Sequence, residues 1–300
     1  MRAVTGGAAP VPAPGRGRWV WGLSGLVTVA LLAVPCVHLI TTAGDPGDAE
    51  SIMANVPSSS ARTVIVTQPV TSVTVQSYGS PVQVTTGSVR HIEVTEMSSY
   101  GKGASAGSAT VTQSVSGSHL FLADPACSPT GYDCAVSFAL TVPPGVTVTA
   151  MTDGGPLTVS GVAGANLDSG GGLVRATGIQ GPLTVRTEGA PLLIDGLVGA
   201  LNVDTGNAPL IAEGVDATTV TVSTDGGGAR IAFAAAPDSV TVSTDGGAAF
   251  LTMPGGPYAL AADSDGGPES VGIATDPAAS RSLTVSTGGA PLRIEPAPGA

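Results

Sequence analysis

From Val146 to Ile294 apolar and polar residues alternate in short runs, and each run ends in Thr or Ser, an Asp/Gly turn and a second apolar run. The phrase reads MTDGGPLTV from Met151, VRTEGAPLLI from Val185, VDTGNAPLI from Val203, VSTDGGGARI from Val222, VSTDGGAAFL from Val242 and VSTGGAPLRI from Val285. Anchored on Thr152, Ser169, Thr187, Thr205, Thr224, Thr244, Ser264 and Thr287, the steps are 17, 18, 18, 19, 20, 20 and 23 residues. Alternation with period two predicts strands, one side chain row inside and the next outside. A repeat of about 20 residues cannot bury its apolar face alone and must stack on its neighbours. The predicted fold is all-β: a β-solenoid or β-helix-like stack of coils of about 18 to 20 residues, two strands to a coil. Asp-Gly and Gly-Gly give the positive φ that a tight corner requires. Each coil contributes four or five aliphatic side chains at about 1.5–3 kcal/mol apiece, before the cost of ordering the chain. Thr, Ser, Arg and Asp are expected mostly outside.

The regular repeats span 151–296. Before them, 62–150 carries strand signals at irregular spacing (RTVIVTQ, TSVTVQSYG, PVQVTTG and HIEVTEM), with a Gly/Ser/Ala loop expected from Ser98 to Ser108. This irregular β region is expected to cap the regular coils, since an uncovered end presents unpaired backbone groups. Aromatics are only 3% of the chain, so the core must be built from Val, Leu, Ile and Ala.

The N-terminus sets the compartment. Trp19 to Gly44 contains no Asp, Glu, Lys or Arg, and Trp19 to Ile40 as a helix would span about 33 Å, close to the bilayer's hydrocarbon thickness. Arg2, Arg16 and Arg18 precede it and Asp45, Asp48 and Glu50 follow it, which places the N-terminus in the cytoplasm. The domain reading is a disordered cytoplasmic tail (1–18), a transmembrane signal anchor (19–43), a polar linker (44–61) and the extracytoplasmic body. A cleaved signal peptide, cut after Thr41-Thr42-Ala43, is the alternative. Either way the body lies outside the cytoplasm. There Cys127 and Cys134, flanking a loop with Pro129 and Gly131, read most simply as a disulfide; a metal or redox pair is the alternative, without a C-x-x-C to favour it.

The net charge of −11 and the single lysine, Lys102, leave no basic stripe for phosphates, so nucleic acid is excluded as a partner. In an in-register stack Asp225, Asp245 and Asp265 would fall at neighbouring corners about 4.8 Å apart, which makes them the calcium candidates. The plain reading is that Asp is a good corner residue, as Gly206 and Gly288 take the same place. Asp263, Asp265 and Glu269 with Arg281 are the densest group that could serve a polysaccharide-cleaving site, and a surface turn explains them equally. His91 and His119 are isolated. No cofactor motif is present, and the chain is expected not to be an enzyme.

The run LTVPPGVTVTAMTDGGPLTVSGVAG (Leu140 to Gly164), followed by LNVDTGNAPLIAEG and LTVSTGGAPLRI, resembles the bacterial putative-adhesin family of β-strand-repeat proteins, over about residues 62–295. The resemblance implies an extracytoplasmic β-solenoid domain of unknown function, with no family active site to carry over. The Ala, Gly and Pro bias with one lysine points to a high-GC, actinobacterial source. The leading functional expectation is a membrane-anchored, non-catalytic surface protein, presenting Thr221, Ser223, Thr241 and Ser243 to cell-wall polymer, a surface protein or another copy of itself. Envelope sensing through residues 1–18 and polysaccharide cleavage are the alternatives.

Overall fold

The strands form where Val, Leu and Ile alternate with Thr, Ser and Asn, and they end where Gly, Pro or Asp turns the chain. The computed structural model describes residues 58–100, 111–124 and 134–299. The expected tail and membrane helix, and Cys127 of the expected staple, lie outside the described residues. Among the described residues there is no helix, and so none long and apolar enough to cross a membrane.

The irregular region supplies β1 (Ser58–Val66), β2 (Ser72–Ser77), β3 (Val82–Thr86), β4 (Ile92–Tyr100), β5 (Thr112–Ser116), β6 (His119–Ala123) and β7 (Cys134–Val142). The repeats begin with β8 (Thr147–Thr152), β9 (Leu157–Ser160), β10 (Gly164–Ser169), β11 (Val174–Ile179), β12 (Leu183–Thr187) and β13 (Leu192–Val198). They continue through β14 (Leu201–Asp204), β15 (Leu210–Asp216), β16 (Thr219–Ser223), β17 (Ala229–Phe233), β18 (Ser239–Ser243) and β19 (Ala249–Met253). The chain closes with β20 (Ala259–Asp263), β21 (Glu269–Val271), β22 (Ser282–Ser286) and β23 (Leu292–Pro296).

These strands make two large mixed sheets. Sheet A has the order β1-β4-β7-β3-β9-β11-β13-β15-β17-β19-β23-β21 and sheet B the order β20-β22-β18-β16-β14-β12-β10-β8-β2-β6-β5. From β8 to β19 the chain crosses between sheets at every turn, and within each sheet a strand pairs in parallel with the strand two further on. Alternate residues of both sheets fill one aliphatic core; Leu183, Val185, Leu192, Ile194, Val220 and Val222 are all buried in it, as the alternation predicts.

The two ends depart from sequence order. At the start, β2 lies between β6 and β8, and β3 between β7 and β9, while β1, β4 and β5 pair antiparallel on the outside. Strand β1 begins at Ser58, inside the expected linker, because Ser58 to Ala61 pair with Met97 to Tyr100; the same pairing carries β4 into the expected loop. At the far end β22 pairs with both β18 and β20, and β23 with both β19 and β21. The last strands are thus inserted one place before the end, and β20 and β21 form the terminal edge. Asp263 and Glu269 place charge on that edge, which discourages further strands from adding there.

The corners correct one expectation. The anchoring hydroxyl residues Thr152, Ser169, Thr187, Thr205, Thr224, Thr244, Ser264 and Thr287 are buried, not outward. Each donates to the carbonyl oxygen three residues ahead: Thr152 to Gly155 at 2.7 Å, Ser169 to Gly172 at 2.8 Å, Thr187 to Ala190 at 2.8 Å, Thr205 to Ala208 at 2.6 Å, Ser264 to Gly267 at 2.8 Å and Thr287 to Ala290 at 2.6 Å. Thr224 and Thr244 bond Gly227 and Gly247 in the same way. The physical reason is phase: Thr187 follows Leu183 and Val185 by the same two-residue step, so it points inward and closes its own corner. The reward is a satisfied carbonyl inside the core, where an unpaired one is costly.

Candidate functional site: a trough on the outer face of sheet B

The residues between the inward rows of sheet B point outward and stand in register from strand to strand. One column runs Thr74, Thr149, Asn166, Thr184, Asn202, Thr221, Thr241 and Thr284. The column beside it runs Gln76, Met151, Asp168, Arg186, Asp204, Ser223, Ser243 and Ser286. Parallel strands lie about 4.8 Å apart, so the first column repeats a hydroxyl or amide at that interval, while the second mixes polar, charged and thioether side chains. The first column carries no charge.

Three hollows run together along this face. One of 400 Å³ is lined by Asn166, Asp168, Thr184, Arg186, Asn202, Asp204, Thr221 and Ser223. A second, of 290 Å³, shares Asn166 and Thr184 with it and extends to Thr147 and Thr149. A third, of 330 Å³, shares Asp168 and reaches Gln76, Tyr78, Met151, Asp153 and Glu188 at the corner. Together they make a trough from β2 to β16, five strand steps or about 24 Å long. Gly170 also lines this corner, where a Cβ would come within 2.9 Å of Asp153 Oδ1. Tyr78 is 63% exposed and offers an aromatic face at that end.

The trough is net acidic: four carboxylates, Asp153, Asp168, Asp204 and Glu188, line it with one cation, Arg186. Arg186 stands between Asp168 and Asp204 in the register, and its Nε lies 3.8 Å from Asp204 Oδ2. That pair is solvent-exposed and contributes little to stability. On the outer face of sheet A, Arg293 pairs with Glu295, and Arg230 lies over Phe250 at 5.3 Å from the ring centre.

Thr221, Ser223, Thr241 and Ser243 stand outward over buried Val220, Val222, Val240 and Val242, as the alternation predicts, and the first two line the trough. The Asp corners are arranged differently from the expected ladder. Asp225 and Asp245 follow adjacent strands β16 and β18, but the Gly288 corner after β22 separates Asp245 from Asp265. The backbone at Asp245 and Asp265 is left-handed, φ 42° and 46°, a conformation that Asp tolerates better than most side chains. Each corner is also locally satisfied: Ser243 Oγ donates to Asp245 Oδ1 at 2.9 Å, and the Asp265 N–H donates to Asp263 Oδ1 at 3.0 Å. Among the described residues no group of three or more His, Cys, Asp and Glu side chains converges as a metal site. Arg281 makes no ion pair with Asp263, Asp265 or Glu269 among the described residues; it lies beside Gly256 and Tyr258. His119 Nδ1 is 2.9 Å from Ser72 Oγ, an ordinary cross-strand contact.

Sequence reasoning missed Asn166, Thr184 and Asn202, although their outward phase was available in ANLDS, LTVRT and LNVD. It also missed Asp124, which follows β6 and is buried beside the Ser77 corner. Burial pushes this carboxyl up to about 6, partly offset by a hydrogen bond from the Tyr78 backbone, and its Oδ1 has no partner among the described residues. The folded state therefore holds the Asp124 proton more tightly than the unfolded chain does. Its contribution to stability is present below about pH 4 and is lost as pH rises through about 6, a change of at most ~3 kcal/mol. Urea unfolding of Asp124→Asn should show that component flattened and a gain in stability at pH 7. Glu96, also raised by burial, supplies a residual slope of the same sign.

No family model matches the sequence, and no curated protein matches it. Among solved structures the chain is similar to a "putative adhesin" from Parabacteroides distasonis ATCC 8503, with TM-score 0.49 and 12% identity over 79% of this chain and 97% of the other. It is similar to another from Bacteroides fragilis NCTC 9343, with TM-score 0.48 and 14% identity over 79% and 97%. A third, from Parabacteroides merdae ATCC 43184, gives TM-score 0.41 and 10% identity over 79% and 95%.

Proposed function

We propose that residues 58–299 form a non-catalytic β-solenoid whose sheet B outer face is a recognition surface, held outside the cytoplasm by the apolar segment 19–43. The crossing of the chain between sheets at every turn, with parallel pairing two strands on, supports the solenoid. The observation that carries the function is the trough: a 24 Å run, about five strand steps, of outward side chains in register, one column of them uncharged, on a face whose backbone bonds are already used. Such a face holds its groups in fixed positions before any partner arrives, which lowers the entropic cost of binding. The target supported by this placement is polymer of the cell envelope.

The test is co-sedimentation of the full chain, kept in a detergent without a sugar headgroup, with isolated cell-wall sacculi. Saturable pelleting is expected, and Glu substituted together at Thr221, Ser223, Thr241 and Ser243 should weaken it by about tenfold or more. Unchanged pelleting by that variant would remove the face from the account. Adding Ca²⁺ asks whether the adjacent Asp225 and Asp245 corners take part.

A further inference from the structure

We propose that the trough binds a linear, uncharged glycan lying along the stack, with about one pyranose ring to each strand step. This deepens the recognition reading above and rests on it. Three lines of argument choose the ligand.

The first is the kind of surface. An extended peptide gains affinity by adding a strand to an open sheet edge, where backbone N–H and C=O groups are free. The trough lies on a face, and the strands beneath it are paired on both sides. Only side chains meet the ligand here, and they repeat at about 4.8 Å. A polymer that presents hydroxyls at a similar interval can engage successive strands in the same way.

The second is charge. In a chain of net charge −11 the trough carries one uncharged column, Thr149 to Thr221, and its one cation, Arg186, is held between Asp168 and Asp204. A polyanion would meet no spare positive charge and would be repelled by the body. A polycation would be drawn to Asp153, Asp168, Asp204 and Glu188, but it would meet Arg186 in the middle of its path and only hydroxyls and amides along the uncharged column. A neutral chain meets no repulsion anywhere along the trough and can take its hydrogen bonds from the uncharged column.

The third is the chemistry of the lining. Asn166 and Asn202 each carry a donor pair and an acceptor, and Thr149, Thr184 and Thr221 can donate or accept, so the floor can satisfy hydroxyls and acetamido groups in either sense. At the corner end, exposed Tyr78 offers a flat face for a ring's apolar side, with Gln76, Asp153 and Asp168 beside it as hydroxyl partners.

The experiment is calorimetric titration of the full chain, in a detergent without a sugar headgroup, with the β-1,4-linked hexamers of glucose and N-acetylglucosamine. A hyaluronan hexamer and hexalysine serve as the charged probes. Saturable binding of at least one neutral hexamer is expected, with the charged probes weaker. Asn166→Ala with Asn202→Ala, and separately Tyr78→Ala, should each weaken it by about tenfold. Thr284→Ala, in the same column but beyond the trough, should leave it unchanged, and thermal unfolding checks that the variants are folded. No saturable binding of either neutral hexamer, or tighter binding of a charged probe, overturns the proposal. If sacculi still pellet with the chain while neither hexamer binds, the recognition reading stands and the glycan assignment falls. If a hexamer binds in the trough and sacculi do not pellet, the glycan class stands and the cell-wall target falls.

Discussion

Replacing Gly172 by alanine should destabilise the protein by about 2–3 kcal/mol, while the same change at the neighbouring Gly171 should stay within about 0.5 kcal/mol of wild type. The difference lies in what a methyl group meets. A Cβ at Gly172 would overlap the carbonyl of Gly155 in the corner one place along the stack, and backbone on both sides leaves nothing that can rotate away. A Cβ at Gly171 finds only the Gly154 Cα at 3.9 Å, an ordinary contact. Neither glycine has a positive φ, so backbone strain does not enter the comparison. The corner glycines are therefore spacers as well as turns: they set how closely one corner packs on the next. Chemical unfolding of the two single variants measures it, and equal stabilities would mean that the corners are looser than described.

The second large effect concerns the buried hydroxyls. Thr187→Val preserves shape but removes the donor that bonds Ala190 O at 2.8 Å and lies 3.1 Å from Thr205 O in the next corner. Thr205 O would keep the Gly189 and Ala208 N–H donors, but Ala190 O would be left without a partner among the described residues, and the loss should be about 1–3 kcal/mol. Thr184→Val, three residues earlier and exposed on the outer face, should change stability by less than about 0.5 kcal/mol. It would instead bear on the trough. The pair thus separates two roles that threonine plays in one five-residue strand: an inward hydroxyl that closes a corner and an outward one that faces a partner.

That same strand shows what the sequence made legible. In LTVRT the inward phase of Leu183 and Val185 follows from alternation alone, and extending it by two positions puts Thr187 inside. Polarity argued for the opposite, and polarity was the weaker guide because a hydroxyl can be buried once a carbonyl lies within reach. The all-β class and the aliphatic core were readable for the same reason: period two, frequent turns and few aromatics leave little choice. The order of strands at the ends was not. SVTVSTDGG and SLTVSTGG are so alike that local sequence cannot say which of them lies next to β20. Only the 23-residue step from Ser264 to Thr287 marks the place where the chain passes the end and turns back. The expected Asp ladder failed there, since the inserted β22 sets Gly288 between Asp245 and Asp265. The trough was out of reach for a related reason. Its lining comes from strands β2, β8, β10, β12, β14 and β16 and their corners, and the concavity depends on how their registers align, which no single phrase encodes.

The recognition claim turns on a comparison between the two outer faces of one molecule. The full chain would be titrated against sacculi as three forms: wild type, a sheet B variant with Glu at Thr149, Thr184, Thr221 and Thr241, and a sheet A variant with Glu at Thr158, Thr177, Ala232 and Thr252. All eight positions lie on outward rows, so each variant adds the same charge without entering the core. The account predicts that saturable pelleting survives the sheet A changes and is lost with the sheet B changes. Equal loss from both would mean that added negative charge alone repels the wall, and retention by the sheet B variant would contradict the assignment of that face.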